Sequence, residues 1–176
     1  FLARTLGSLY LLNNVDDEVL SPRIRRQVLT DAVPFVLLFV AFVAYVLTKE
    51  GYAVDPVTQA VSLAPYKYWH NLMAMPATAA VFVLGVVLVL YGVVRTLVSL
   101  RFVRGIWTAG AGTVLAVLSL FLLAGYNDTA FYPSTADLQS SLTLRNSCSS
   151  EFTLRTMAWV SLLIPFVLAY IAYAWH

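Results

Sequence analysis

Four apolar stretches dominate this chain: Val28 to Leu47, Ala77 to Val94, Gly105 to Tyr126, and Thr156 to Trp175. Each holds about 20 residues, or roughly 30 Å as a helix, which matches the hydrocarbon core of a bilayer. None alternates with period two, as a strand of a membrane barrel would. Hydrophobic residues make up 60% of the chain, charged residues 11%, and the mean hydropathy is +0.79. Soluble domains carry about a quarter charged residues, so the sequence predicts an all-α integral membrane protein.

The opening segment FLARTLGSLYLL is apolar from its first residue, is too short to cross alone, and carries Arg4 inside the run. That is a poor signal peptide, and the simpler expectation is the end of a further helix within something larger. The expected fold is a four-helix transmembrane bundle preceded by that partial helix. It forms one transmembrane domain over residues 1–176, with outer loops at 48–76 and 127–155.

Lysine and arginine favour the cytoplasmic face. Arg4, Arg23, Arg25, Arg26, Arg95, Arg101 and Arg104 fall on one side, seven against the four of Lys49, Lys67, Arg145 and Arg155. The segment NNVDDEVLSPRIRRQ, the SLRFVR turn and the C-terminus are therefore expected in the cytoplasm. The first of these reads as a solvated connector. Tyr45, Trp69, Tyr91, Trp107, Tyr126, Tyr170, Tyr173 and Trp175 lie near span ends, where interfacial anchors belong.

Small residues recur along the third span at Gly105, Ala109, Gly112, Ala116 and Ser119, a stripe that lets another helix approach closely. The second span, rich in Val and Leu, is expected to meet more lipid. Pro34 and Pro165 interrupt apolar runs. Pro165 frees the Ser161 carbonyl, and the expected result is a kink that serves shape.

Chemistry-bearing residues are sparse. His70 lies in a loop and His176 at the chain end, Met73 and Met75 near the membrane surface, and Met157 at the start of the fourth span. A methionine can ligate haem, but no second ligand accompanies one, so no cofactor-binding or metal-binding residue is expected. The single Cys148 excludes an intramolecular disulfide and has no neighbouring ligand. No phosphate-binding loop and no nucleophile paired with a base occur, so no catalytic residue is expected either. Asp31 is the one ionisable candidate near a span interior, and a helix cap is the favoured reading over an ion path. The net charge of +2 gives no reason to expect nucleic acid. Asn127-Asp128-Thr129 matches a glycosylation pattern weakly.

The last third carries a more specific signal. AGYNDTAFYPSTADLQSSLTLRNSCSSEFTLRTMAWVSLLIPFVLAYIAYAW resembles the C-terminal end of subunit II of bacterial cytochrome bd ubiquinol oxidase. The likeness rests on the Tyr-Pro turn, on Ser141, Leu142 and Thr143, and on Asn146 with Ser149 and Ser150. Phe152, Thr153 and Leu154 enter a last helix containing Pro165. LARTLGSLYL resembles the end of the family's fifth helix, and PYKYWHNL stands in the outer loop between its sixth and seventh. The likeness covers the whole chain and about half of an eight-helix subunit, so the spans here would form the second of two bundles.

Such a subunit pairs with a larger one that carries haems b and d and the quinol-oxidising loop, and together they reduce dioxygen while generating a proton gradient. The resemblance therefore implies a non-haem-ligating, scaffolding role in aerobic or microaerobic respiration, in the bacterial inner membrane. The haem-bearing subunit I is the implied partner, with membrane lipid and a structural quinone as further candidates. The family's proton path runs partly through its first four helices, which this sequence lacks. The other function classes are a small membrane transporter or channel module, which should show broken helices, repeats or buried charge, and a free-standing scaffold.

Overall fold

The computed structural model describes residues 1–175, which fall into two compact units, residues 1–143 and 144–175. By length and hydropathy, four helical stretches suit a membrane span: Leu20–Thr48, Pro76–Val98, Gly105–Gly125 and Glu151–Ala174. With few strands besides, this is an all-α membrane protein.

In the first unit, α1 (Leu2–Asn14) and α2 (Leu20–Thr48) form a helical hairpin. α2 begins at Leu20, a full two turns before its apolar run. Asp17 Oδ1 accepts the Val19 and Leu20 amides, each at 2.8 Å, giving the helix an entry. Pro22 sits in the first turn, where a missing N–H costs nothing. The expected solvated connector is thus reduced to residues 15–19. SPRIRRQ is helical, with Arg25 buried. Pro34 lies inside α2 and leaves the Thr30 carbonyl without its helical donor.

α4 (Pro76–Val98) and α5 (Gly105–Gly125) make the most extensive helix pair. The predicted stripe on α5 is buried in full, from Gly105 to Ser119. Opposite it α4 presents Gly85, Val89, Gly92 and Thr96. A Cβ added to Gly85 would lie 2.6 Å from the Ala116 amide nitrogen, and one on Gly92 would lie 2.8 Å from the Gly105 carbonyl. The backbones can approach this closely only because hydrogen replaces a side chain at these positions. The remaining faces of α4, with Val83, Val87 and Val94, are exposed as expected for lipid contact. Leu9, Val28, Ala32, Val93 and Ala109 form the core where α1, α2, α4 and α5 meet.

The segment between α2 and α4 is more ordered than a loop. β1 (Gly51–Val54) and β2 (Val61–Ala64) pair antiparallel, and α3 (Lys67–Ala74) follows. The sequence reading contained no strands here. Four-residue strands reading GYAV and VSLA carry little alternation to detect.

The second unit holds α6 (Leu144–Ser147), α7 (Glu151–Ser161) and α8 (Ile164–Ala174). The Ser150 hydroxyl caps α7 by accepting the Thr153 amide at 3.4 Å, and Glu151 pairs with Arg155 one turn on at 3.2 Å. The expected kink at Pro165 takes the form of a two-residue turn between α7 and α8. The Leu162 and Leu163 amides fold back on the Trp159 and Val160 carbonyls at 3.2 and 3.0 Å, and Pro165 starts a new helix. Proline has no N–H to continue the α7 ladder and fits the first turn of α8.

Candidate functional site

One buried ionisable group in the apolar part of the first unit is Asp31. It lies mid-helix in α2, is 1% exposed, and caps nothing, contrary to the capping expectation. The reason is the early start of α2, which carries Asp31 three turns past the helix entry. Its carboxylate faces α1, where the Arg4 guanidinium approaches to 3.3 Å, and it accepts the Gln27 side-chain amide at 2.7 Å. The two partners are unequal: the Arg4 side chain is 64% exposed, the Asp31 side chain 2%. Arg4 lies in the first turn of α1, at the opposite end of that helix from the connector with which its charge was counted. Thr5, the next residue on α1, is 1% exposed, and its hydroxyl has no hydrogen-bond partner.

A second buried charge joins α2 to the end of α4. Arg25 donates to the carbonyls of Thr96, Ser99 (3.0 Å) and Leu100 (2.7 Å), with Phe102 at 3.4 Å. These carbonyls lie at and beyond the C-terminus of α4, where the last turn has no intrahelical donors and the helix dipole favours a cation. Six residues further along α2, about 9 Å by helical rise, comes Asp31. The carboxylate thus sits well inside the level at which α4 ends. Arg95, on the outer face of α4, packs its guanidinium over the rings of Tyr91 (5.3 Å) and Phe102 (4.8 Å) and donates to the Tyr91 hydroxyl.

At the opposite end, residues 127–143 grip the β-hairpin by both edges. The Val54 amide donates to the Asp128 carbonyl and the Ala130 amide to the Tyr52 carbonyl, each at 2.9 Å, adding a short strand beside β1. On the β2 side, the Gln139 side chain accepts the Val61 amide and donates to the Val61 carbonyl, both at 3.0 Å. Edges that would otherwise expose unpaired backbone are closed. Val54, Val61 and Ala130 pack beneath.

Asn71 of α3 ties this layer to α5. It is fully buried, donates to the Leu123 carbonyl (3.1 Å) and the Thr129 hydroxyl (2.7 Å), and accepts the Asn127 amide at 3.0 Å. Asn127 and Asp128 turn in the left-handed region, at φ 55° and 50°, where Asn and Asp are tolerated. Lys67 donates to the Asn127 carbonyl at 2.9 Å. Burial holds its ammonium below the usual lysine range, while the Asp128 carboxylate pulls the other way. Burial likewise pushes the Tyr68 phenol up, with Tyr52 adding to the shift. The uncharged Ser, Thr and Asn of this segment thus satisfy backbone in a partly buried layer. A solvated charged linker could not do this.

The haem-ligand candidates do not converge. His70 is exposed on α3 and lines an open hollow with Leu47, Thr48, Tyr66 and Trp69, and no methionine shares that lining. Met73 and Met157 are exposed, and Met75 is half-buried at the start of α4. His176 lies outside the described residues. Among the described residues no three His, Cys, Asp or Glu side chains group as metal ligands. A cavity of about 130 Å³ lined by Leu2, Phe35, Phe39, Val86, Leu90 and Thr113 is apolar, because the Thr113 hydroxyl is committed to the Ala109 carbonyl at 2.8 Å. It suits hydrocarbon.

No curated relative matches this sequence. The family model described as cytochrome bd terminal oxidase subunit II matches residues 1–176. That family belongs to a haem-containing membrane terminal oxidase assembled from more than one subunit. This chain is therefore a member of the cytochrome bd terminal oxidase subunit II family, a multi-pass membrane component of a respiratory oxidoreductase.

Proposed function

We propose that this chain is a non-haem-ligating scaffold within a quinol:oxygen oxidoreductase, holding a haem-bearing subunit that oxidises quinol and reduces dioxygen. One observation carries the reading: the buried ionisable side chains of the first unit are committed to holding helices together. Asp31 is used by Arg4 and Gln27, and Arg25 by the end of α4. Side chains held in this way join one helix to the next, which supports a structural role. On this reading haems b and d, with their axial ligands, sit on the partner, and residues 1–176 form one transmembrane domain. The Arg-rich helix ends and the C-terminus face the cytoplasm, and the β-hairpin layer faces outward. The positive-inside rule and the shared packing of 51–64 with 127–143 support that orientation.

The test is a reduced-minus-oxidised absorption spectrum of the native complex isolated through this chain, natural and His70→Ala. A far-red haem d band with b-type signals, a larger co-purifying subunit, and full haem content in the variant are expected. A haem-free complex would overturn the oxidase assignment, and haem loss in His70→Ala would place a ligand on this chain.

A further inference from the structure

The arginine-rich end of the α4–α5 pair contains a feature that the scaffold role leaves unused. An open hollow of about 770 Å³ is lined by Asn13 of α1, Tyr91 of α4, Phe102 and Arg104 of the turn, and Trp107 and Thr108 of α5. Its size falls within the range of ligand clefts, about 300–1,000 Å³. Its depth is set by the helices that form it. α4 ends at Val98 and α5 begins at Gly105, so the hollow lies where apolar spans meet the headgroup layer.

Its charge is positive and, among the described residues, is not neutralised by an ion pair. Among the described residues Arg104 makes no ion pair and no side-chain hydrogen bond. Arg95 stands over the Tyr91 and Phe102 rings that form one wall, which fixes a second guanidinium beside the opening. The α5 N-terminus carries no side-chain cap, and although the Trp107 amide turns back on the Arg104 carbonyl at 3.2 Å, the positive end of the helix dipole remains available. The nearest carboxylates along the chain are Asp16, Asp17 and Glu18, in the connector after α1. Asp17 is occupied at the start of α2, and none of the three pairs with an arginine among the described residues.

The surroundings are those of a lipid and not of a soluble anion. Trp107 is 71% exposed and Tyr91 43%, the amphipathic pair expected at an interface. From each of them an exposed apolar track runs inward, from Tyr91 to Val87 on α4 and from Trp107 to Val114 on α5. Phosphate chemistry at the rim with hydrocarbon contact below describes one molecule.

We propose that this hollow binds an anionic phospholipid, its phosphate held by Arg104 and Arg95 and its acyl chains lying along Val87 and Val114. The site is independent of the haem assignment.

The test uses the whole purified complex, depleted of lipid and titrated with phosphatidylglycerol, phosphatidylcholine or inorganic phosphate. Bound lipid is read by native mass spectrometry and thermal shift. Arg104→Gln should weaken phosphatidylglycerol binding about fivefold, as loss of one basic contact near a membrane surface predicts. Arg104→Lys should retain most of the binding. Arg101→Gln, on the same turn outside the lining, should change it less than Arg104→Gln. Unchanged phosphatidylglycerol binding in Arg104→Gln overturns the proposal. Equal binding of phosphatidylcholine, or protection by inorganic phosphate alone, also overturns it. A haem spectrum on the same samples separates failure of the lipid site from failure of the oxidase reading.

Discussion

The carboxylate of Asp31 lies 3.3 Å from the guanidinium of Arg4, and only the arginine reaches the surface. Removing either partner should therefore have unequal consequences. Arg4→Ala leaves a buried carboxylate with Gln27 alone and should cost about 3 kcal/mol, the low end for an orphaned buried charge. Asp31→Asn keeps a hydrogen-bonding side chain and frees an arginine that water or headgroups can reach, for about 1–2 kcal/mol. The double variant should resemble Asp31→Asn. Thermal unfolding of the four proteins in one detergent checks this, and an Asp31→Asn more damaging than Arg4→Ala would give Asp31 a role beyond pairing.

Two glycines on α5 make a matched pair. A Cβ on Gly112 would sit 2.5 Å from the Gly85 carbonyl oxygen and 2.7 Å from the Val89 amide, whereas one on Gly110 meets nothing within 4 Å. Gly112→Ala should force the seam apart and cost about 1–3 kcal/mol, as overpacking does. Gly110→Ala should be neutral or stabilising by up to about 1 kcal/mol, because it removes backbone freedom from the unfolded chain. Melting temperatures of the two variants, measured side by side, decide it.

Asn71 both donates and accepts, and a carboxylate in its place could not donate to the Leu123 carbonyl or the Thr129 hydroxyl. Asn71→Asp and Asn71→Ala should each loosen the clamp over the hairpin by about 2 kcal/mol, the cost of leaving buried polar groups unpaired. Hydrogen exchange of residues 127–143 should then accelerate by about thirtyfold, the equivalent of that free energy. Equal protection in the natural protein and both variants would assign the layer's stability elsewhere.

The hairpin turn should respond to acid. Asp55 Oδ1 accepts the Thr58 and Val57 amides at 2.9 and 2.8 Å, and these bonds hold its carboxyl below the usual aspartate range. The folded value lies under the unfolded one of about 3.9. The stabilisation is therefore complete above that pH and is lost as pH falls through the lowered value. Amide exchange at Val57 and Thr58 should rise below about pH 4, and Asp55→Asn should abolish that dependence. A variant that keeps the acid response would implicate another group.

How much of this was legible beforehand follows from the range of each interaction. The spans, the small-residue stripe from Gly105 to Ser119 and the interruption near Pro165 arise from residues within a few turns of one another. Composition and periodicity record such patterns directly. The partnership of that stripe with Gly85 and Gly92 was missed, because two glycines seven apart in a Val-rich helix read as incidental until a second helix lies on them. Asp31 stood out as a lone charge, but its role depended on where α2 starts and on what α1 places opposite. Arg25, which spans more than 70 positions of sequence to reach the end of α4, gave no local sign at all. The same holds for Gln139, which closes the edge of β2 from 78 residues away.

The sequence by itself determined that this chain lives in a membrane, which stretches are long and apolar enough to cross it, and that one face of the third span can pack closely. Those properties follow from hydrophobic transfer and side-chain size, which each residue carries wherever it goes. The tertiary structure decided which buried charge meets which partner and what the polar segment from Tyr126 to Thr143 holds in place. Hydrogen bonds and ion pairs are directional and short-ranged, so their partners exist only once the chain has closed on itself.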